Sequence, residues 1–102
     1  MRLLVADDHP LFRLGLKAAL EAEGLEVVAE AGTGEEALAQ ALEKAPDAVL
    51  LDLRMPGMDG LDVLQQLRAA DESLPVVTIS GHATVTTAVE ATRRGAFDFI
   101  EK

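Results

Sequence analysis

Asp7 and Asp8 stand side by side where the first apolar run of the chain ends, and Asp52, Ser80 and the pair Glu101 and Lys102 each close a later run. If those runs are parallel strands, these groups gather at one sheet edge as carboxylates, a hydroxyl and an ammonium. Asp7, Asp8 and Asp52 would repel one another there unless a cation lay among them. Hard oxygen donors without cysteine suit Mg²⁺ better than Zn²⁺, and Mg²⁺ keeps positions open for water and a phosphoryl group. A carboxylate beside it can attack a phosphoryl donor and form an aspartyl phosphate, while a lysine and a hydroxyl hold the phosphoryl oxygens. Asp52, alone at the end of the third run, is the expected nucleophile, with Ser80 and Lys102 as its helpers. Taken singly, Asp8 is also a possible helix cap, Ser80 a turn hydroxyl and Lys102 a solvated end. Their convergence is what points to chemistry.

The elements that must position these residues are readable. Residues 3–6, 27–29, 48–51, 76–79 and 97–100 are short apolar runs rich in branched side chains, which predicts five strands. Between them, helical spacing joins Phe12, Leu16, Ala19 and Leu20, then Leu38, Ala41, Leu42 and Ala45. The same spacing continues through Leu61, Leu64 and Leu67, and again through Val85, Ala88, Val89 and Thr92. Pro10 suits the opening of the first helix and Gly24 its close, Thr33 with Glu36 has capping-box form, and Asp59 can cap the third helix. Strict alternation with nearly all-apolar strands predicts an open α/β sheet of parallel strands covered on both faces.

At 102 residues the chain has room for one domain, and 49% hydrophobic with 26% charged residues excludes a disordered or low-complexity polymer. Nine basic against eighteen acidic residues give a net charge of -9, which repels nucleic acid and anionic membrane. Direct nucleic-acid binding is therefore not expected. The absence of cysteine excludes a disulfide framework and a thiolate metal site and fits a reducing compartment, so a cytoplasmic location is expected. No run approaches the ~18 apolar residues of a membrane span, and Asp7 and Asp8 interrupt the place of a signal peptide.

Four segments in order resemble the receiver domain of two-component response regulators. They are Val5-Ala6-Asp7-Asp8; Leu50-Leu51-Asp52-Leu53-Arg54-Met55-Pro56-Gly57-Met58-Asp59-Gly60; Thr78-Ile79-Ser80-Gly81; and Gly95-Ala96-Phe97-Asp98-Phe99-Ile100-Glu101-Lys102. The resemblance covers essentially the whole chain and implies a flavodoxin-like, CheY-like sheet of order 2-1-3-4-5. It implies that Asp52 is phosphorylated by a histidine kinase or a phosphotransfer protein. Asp8 and Asp52 would bind Mg²⁺ directly, Asp7 through water, and the backbone carbonyl of Arg54 would be a further ligand. Ser80 would move to meet the phosphoryl group, Lys102 would pair with it, and Phe99 would take the place of the switch aromatic. Phosphorylation would then shift an existing equilibrium at the face formed by the fourth helix and fifth strand. The chain would promote its own phosphorylation and dephosphorylation rather than turn over a separate substrate. His9 and His82 are expected as loop or cap residues, and a histidine-based metal site is not expected.

The sequence departs from this family twice. The family continues past its lysine with a proline and a fifth helix, whereas this chain stops at Lys102, so residues 1–102 are expected to be a single receiver domain lacking its last helix. One helix cannot cover the first face of the sheet, and the strands at 48–51 and 76–79 are expected to expose an apolar patch. A truncated or engineered receiver covered by a second copy or another partner would account for that. A receiver-like scaffold or dimerisation module without phosphorylation-driven switching is the alternative function. Secondly, Asp7-Asp8-His9-Pro10-Leu11-Phe12-Arg13 looks like the NarL/FixJ branch, while the segments from Ser80 and from Gly95 look like the NtrC branch, as in a chimera. A haloacid-dehalogenase-type phosphatase would need a second acid where Arg54 stands, and no Gly-rich run ending in Gly-Lys-Ser or Gly-Lys-Thr marks a nucleotide loop.

Overall fold

Among the described residues strand and helix alternate without exception: β1 (Arg2–Ala6), α1 (Pro10–Ala22), β2 (Glu26–Ala31), α2 (Gly34–Lys44), β3 (Ala48–Asp52), α3 (Gly60–Ala70), β4 (Val76–Ser80), α4 (Val85–Arg93) and β5 (Asp98–Glu101). This computed structural model describes residues 1–57, 59–81 and 85–101, with Val85 described in its backbone alone. The strands form one sheet of order β2-β1-β3-β4-β5, and every neighbouring pair is parallel. The expected fold class and strand order are both met. Only the strand limits differ, by a residue or two at an end. No helix of the described residues is long and apolar enough to cross a membrane.

Each strand delivers alternate side chains to opposite faces. Leu4, Ala6, Val49, Leu51 and Val76 join the main core beneath α2, α3 and α4, where they meet Ala37, Val63, Leu64, Leu67 and Ala91. Full burial of a leucine such as Leu4, Leu51 or Leu64 contributes about 2 kcal/mol. Among the described residues the opposite face carries α1 alone, which touches β1 and β2 and has no buried residue. Here the expected apolar patch is smaller than whole strands. Val49, Leu51 and Val76 turn to the other face, and Ile79 is itself buried, so the patch reduces to half-buried Leu50 and Val77 beside exposed Ile100.

Helix ends follow their sequence signals. Pro10 is the first residue of α1 behind the N-cap His9, and Gly24, at φ +84°, ends it. There the Gly24 N–H donates to Glu21 O and the Leu25 N–H to Leu20 O, each at 3.1 Å. Thr33 Oγ1 accepts from the Glu36 N–H at 3.1 Å, and Asp59 Oδ1 accepts from the Leu61 N–H at 2.8 Å. The inward faces of three helices differ from expectation, and on α1 both Phe12 and Ala19 are exposed. Leu42 is 77% exposed, Val89 is half exposed, and Ala91, which the spacing passes over, is the buried one among the described side chains of α4.

Between α3 and β4 the Asp71 carboxylate accepts the Ser73 hydroxyl at 2.6 Å and the Ser73 N–H at 2.9 Å. The hydroxyl first and the N–H second, with Arg68 adding attraction, hold this carboxyl below its ordinary 3.8. A lowered value stabilises the fold above 3.8, and that contribution is lost as pH falls through the folded value. Asp71→Ala is therefore expected to lower the thermal midpoint at neutral pH, with the gap to the parent closing below about pH 3.8, as read by melting curves across pH.

Candidate functional site

The strand order reverses between β1 and β3, because the chain leaves β1 to form β2 on one side and β3 on the other. The carboxyl ends of these two central strands therefore border a crevice, the place where open α/β sheets hold ligands. Asp7 follows β1 and Asp52 ends β3, and both are 1% exposed. The Asp7 N–H donates to Ala31 O at 2.9 Å, continuing the β1–β2 ladder past the strand. Arg13 of α1 donates through Nη1 to the Asp7 backbone oxygen at 2.6 Å and through Nε to Glu30 Oε1 at 3.1 Å. The loop that carries the two acids is thus tied to both α1 and β2.

Within that loop the His9 N–H donates to Asp7 Oδ1 at 2.7 Å, which turns the chain and brings the imidazole over the crevice. His9 Nδ1 lies 3.2 Å from Asp7 Oδ1, 3.1 Å from Asp8 Oδ1 and 3.9 Å from Asp52 Oδ2. His9 is the N-cap of α1 by its backbone, and its side chain makes no capping bond. Asp8 is not the cap, which removes the simplest structural role for its carboxylate. Its Oδ1 is buried and accepts no hydrogen bond.

Asp52 is fixed from the β3 side. Its Oδ1 accepts the Arg54 N–H at 2.9 Å, and the Leu53 N–H donates to Ile79 O at 2.9 Å, carrying the β3–β4 ladder one residue beyond the nucleophile candidate. Ser80 is buried at the end of β4. Beside it a cavity of about 250 Å³ is lined by Leu53, Arg54, Asp59, Leu61, Ser80 and Thr87. Its lining combines a basic residue and two hydroxyl residues with one acid, Asp59. On β5, Phe99 is half-buried against the main core and pairs in register with Thr78, while Glu101 pairs with Ser80.

The fold thus brings together Asp7, Asp8 and Asp52, with one ligand atom from each and one from His9 all within 4.8 Å of one another. Clustered carboxylate oxygens, one of them buried without a hydrogen bond, fit a divalent cation by charge and by donor type. His82 and Lys102 lie outside the described residues. His9 is the cap residue expected of it, but the contact of its ring with Asp7 and Asp8 was not foreseen, and Thr87 reaches the cavity from α4 with no motif to announce it.

Comparison with known proteins agrees with this geometry. The family model described as "Response regulator receiver domain" matches residues 3–102. The chain is 42% identical over 101 residues to the C4-dicarboxylate transport transcriptional regulatory protein DctD of Pseudomonas aeruginosa, covering 99% of this chain and 22% of DctD. It is likewise 42% identical over 103 residues to the probable transcriptional regulatory protein NarL of Mycobacterium tuberculosis, covering 100% of this chain and 48% of NarL. The chain therefore spans about a fifth of the one relative and about half of the other. A solved CheX-CheY-BeF3-Mg complex from Borrelia burgdorferi contains a chain that superposes with a TM-score of 0.97 at 29% identity, covering 100% of this chain and 78% of that one.

Proposed function

The chain belongs to the response regulator receiver domain family, and from that premise we propose that residues 1–102 form one receiver domain whose phosphoacceptor is Asp52. A receiver is a phosphoacceptor with autophosphatase activity, not an enzyme that turns over a separate substrate. The donor in this reading is a histidine kinase or a phosphotransfer protein. The observation that carries it is the placement of the buried Asp52 carboxylate at the switch point of the sheet, beside Asp7 and Asp8.

In the proposed reaction an Asp52 carboxylate oxygen forms a bond to phosphorus as the donor's bond to phosphorus breaks, and the leaving group keeps that electron pair. Asp7, Asp8, Asp52 and the Arg54 backbone carbonyl would hold Mg²⁺, which when bound neutralises charge on the phosphoryl oxygens. The Arg54 N–H on Asp52 Oδ1 fixes the carboxylate plane. Ser80 and Lys102 would receive the phosphoryl oxygens. Movement of Ser80 would be felt across the β4–β5 pairing, where Phe99 lies two register positions from it and packs against the core, so Phe99 is the proposed reporter of the switched state.

Amide NMR of the chain with Mg²⁺ and then with added beryllofluoride, the phosphoryl mimic of the Borrelia complex, tests this reading. Shifts centred on Asp52 and Ser80 and spreading to Phe99 are the expected result. A dispersed spectrum indifferent to beryllofluoride would make the chain a receiver-shaped scaffold.

A further inference from the structure

The guanidinium of Arg13 reaches from α1 to the loop that carries Asp7 and Asp8, with its side chain only 23% exposed. Its Nη1 lies 2.6 Å from the Asp7 backbone oxygen and 3.4 Å from Ala31 O, so one group spans the carbonyls where β1 and β2 end. Nε donates to Glu30 Oε1 at 3.1 Å, which fixes the plane of the guanidinium. Lys17 stands behind this pair, its Nζ 3.7 Å from the other Glu30 oxygen. Gly32 leaves the space, since a Cβ there would come within 3.3 Å of Nη1.

The carbonyl that Arg13 holds belongs to the peptide joining the two acids, so fixing it sets the direction in which Asp8 leaves the end of β1. We propose that Arg13 is a positioning residue of the phosphoacceptor site, clamping that peptide to the ends of β1 and β2 so that Asp7 and Asp8 face the same cation as Asp52. The inference rests on the reading of these three acids as the Mg²⁺ site. Charge alone gives Arg13 the opposite effect. A guanidinium beside the carboxylates repels an incoming cation, so a residue that only neutralised them would, when removed, leave Mg²⁺ bound more tightly. Loss of a clamp leaves it bound more weakly, and the two roles differ in sign.

Calorimetric titration of the full chain with Mg²⁺ tests it, using the parent, Arg13→Ala, Arg13→Lys and Lys17→Ala, with a melting curve for each. Arg13→Ala is expected to bind Mg²⁺ about tenfold more weakly. An ammonium can reach the Asp7 carbonyl but cannot hold Ala31 O and Glu30 in the same planar fork, so Arg13→Lys should recover only part of that loss. Lys17→Ala removes the same charge from α1 and leaves the clamp in place, and its affinity should stay within about twofold of the parent. Acyl phosphorylation of Arg13→Ala by a small-molecule donor should need about tenfold more Mg²⁺ for half its full rate, with the rate at saturating Mg²⁺ within about threefold of the parent. If Arg13→Ala does not fold, Arg13→Lys carries the test, and weaker Mg²⁺ binding than the parent is its expected result. Equal or tighter Mg²⁺ binding in the folded Arg13 variants, or an equal loss in Lys17→Ala, would overturn the proposal and leave the phosphoacceptor reading standing. If the parent bound no Mg²⁺, both would fall.

Discussion

Asp52→Asn is expected to abolish acyl phosphorylation of this chain, with incorporation from a small-molecule acyl phosphate falling to background in the presence of Mg²⁺. The amide is nearly the same size and shape as the carboxylate, and its oxygen can still accept the Arg54 N–H that Asp52 Oδ1 accepts at 2.9 Å. Packing around a site that is 1% exposed is therefore preserved, and thermal stability should not fall with activity. What the amide lacks is the anionic oxygen that forms the bond to phosphorus, and no neighbouring carboxylate has the same setting. Asp7 Oδ1 is engaged by the His9 N–H, and Asp8 is on the loop rather than at a strand end. Phosphoprotein gels and intact mass, with hydroxylamine release to identify the acyl phosphate, give the readout. Undiminished labelling of the folded variant would move the acceptor to another residue.

Most of this site is legible in the sequence because its pieces are exceptions to a local rule. An apolar run that ends in Asp, as at Asp52, or that leads into paired acids, as at Asp7 and Asp8, places charge where a buried sheet edge would not otherwise admit it. Parallel topology then brings those exceptions together without any further information. Asp59, Thr33 and Gly24 are legible for a similar reason, since each terminates a helix through its own backbone or side-chain chemistry. Contacts decided by distant chain segments were not legible. Leu42 lies about 100° round the helix from Ala41, at the margin of the inward stripe, and only the position of α3 decides that it faces out. Val89 is about 200° from Ala91 on α4, so burying Ala91 necessarily turns Val89 away. The His9 ring is aimed by the turn at Asp7 and matters because Asp52, 43 positions later, arrives beside it.

Gly60 is the position where sequence and structure predict opposite signs. As the first residue of α3, without positive φ, it is a place where helix propensity favours alanine, by less than the ~1 kcal/mol of a helix interior. The structure reverses that expectation. A Cβ on Gly60 would lie 2.6 Å from the Leu53 carbonyl carbon and nearer still to its Cα and oxygen, all of them backbone atoms that no rotamer change can move. Gly60→Ala must therefore displace either the start of α3 or the strand exit at Leu53. Overpacking of this kind costs about 1–3 kcal/mol, and with backbone on both sides the upper end is expected, which exceeds the propensity gain. The strand exit is also part of the site. Leu53 holds β3 to β4 through Ile79 O, and the next N–H, from Arg54, holds Asp52 Oδ1. Urea unfolding should show a lower midpoint with an unchanged slope, and beryllofluoride shifts around Asp52 should weaken even in conditions where the variant stays folded. A variant as stable as the parent, or more so, would mean that α3 relaxes away from Leu53 at little cost and that the close approach does not hold the phosphoacceptor in place.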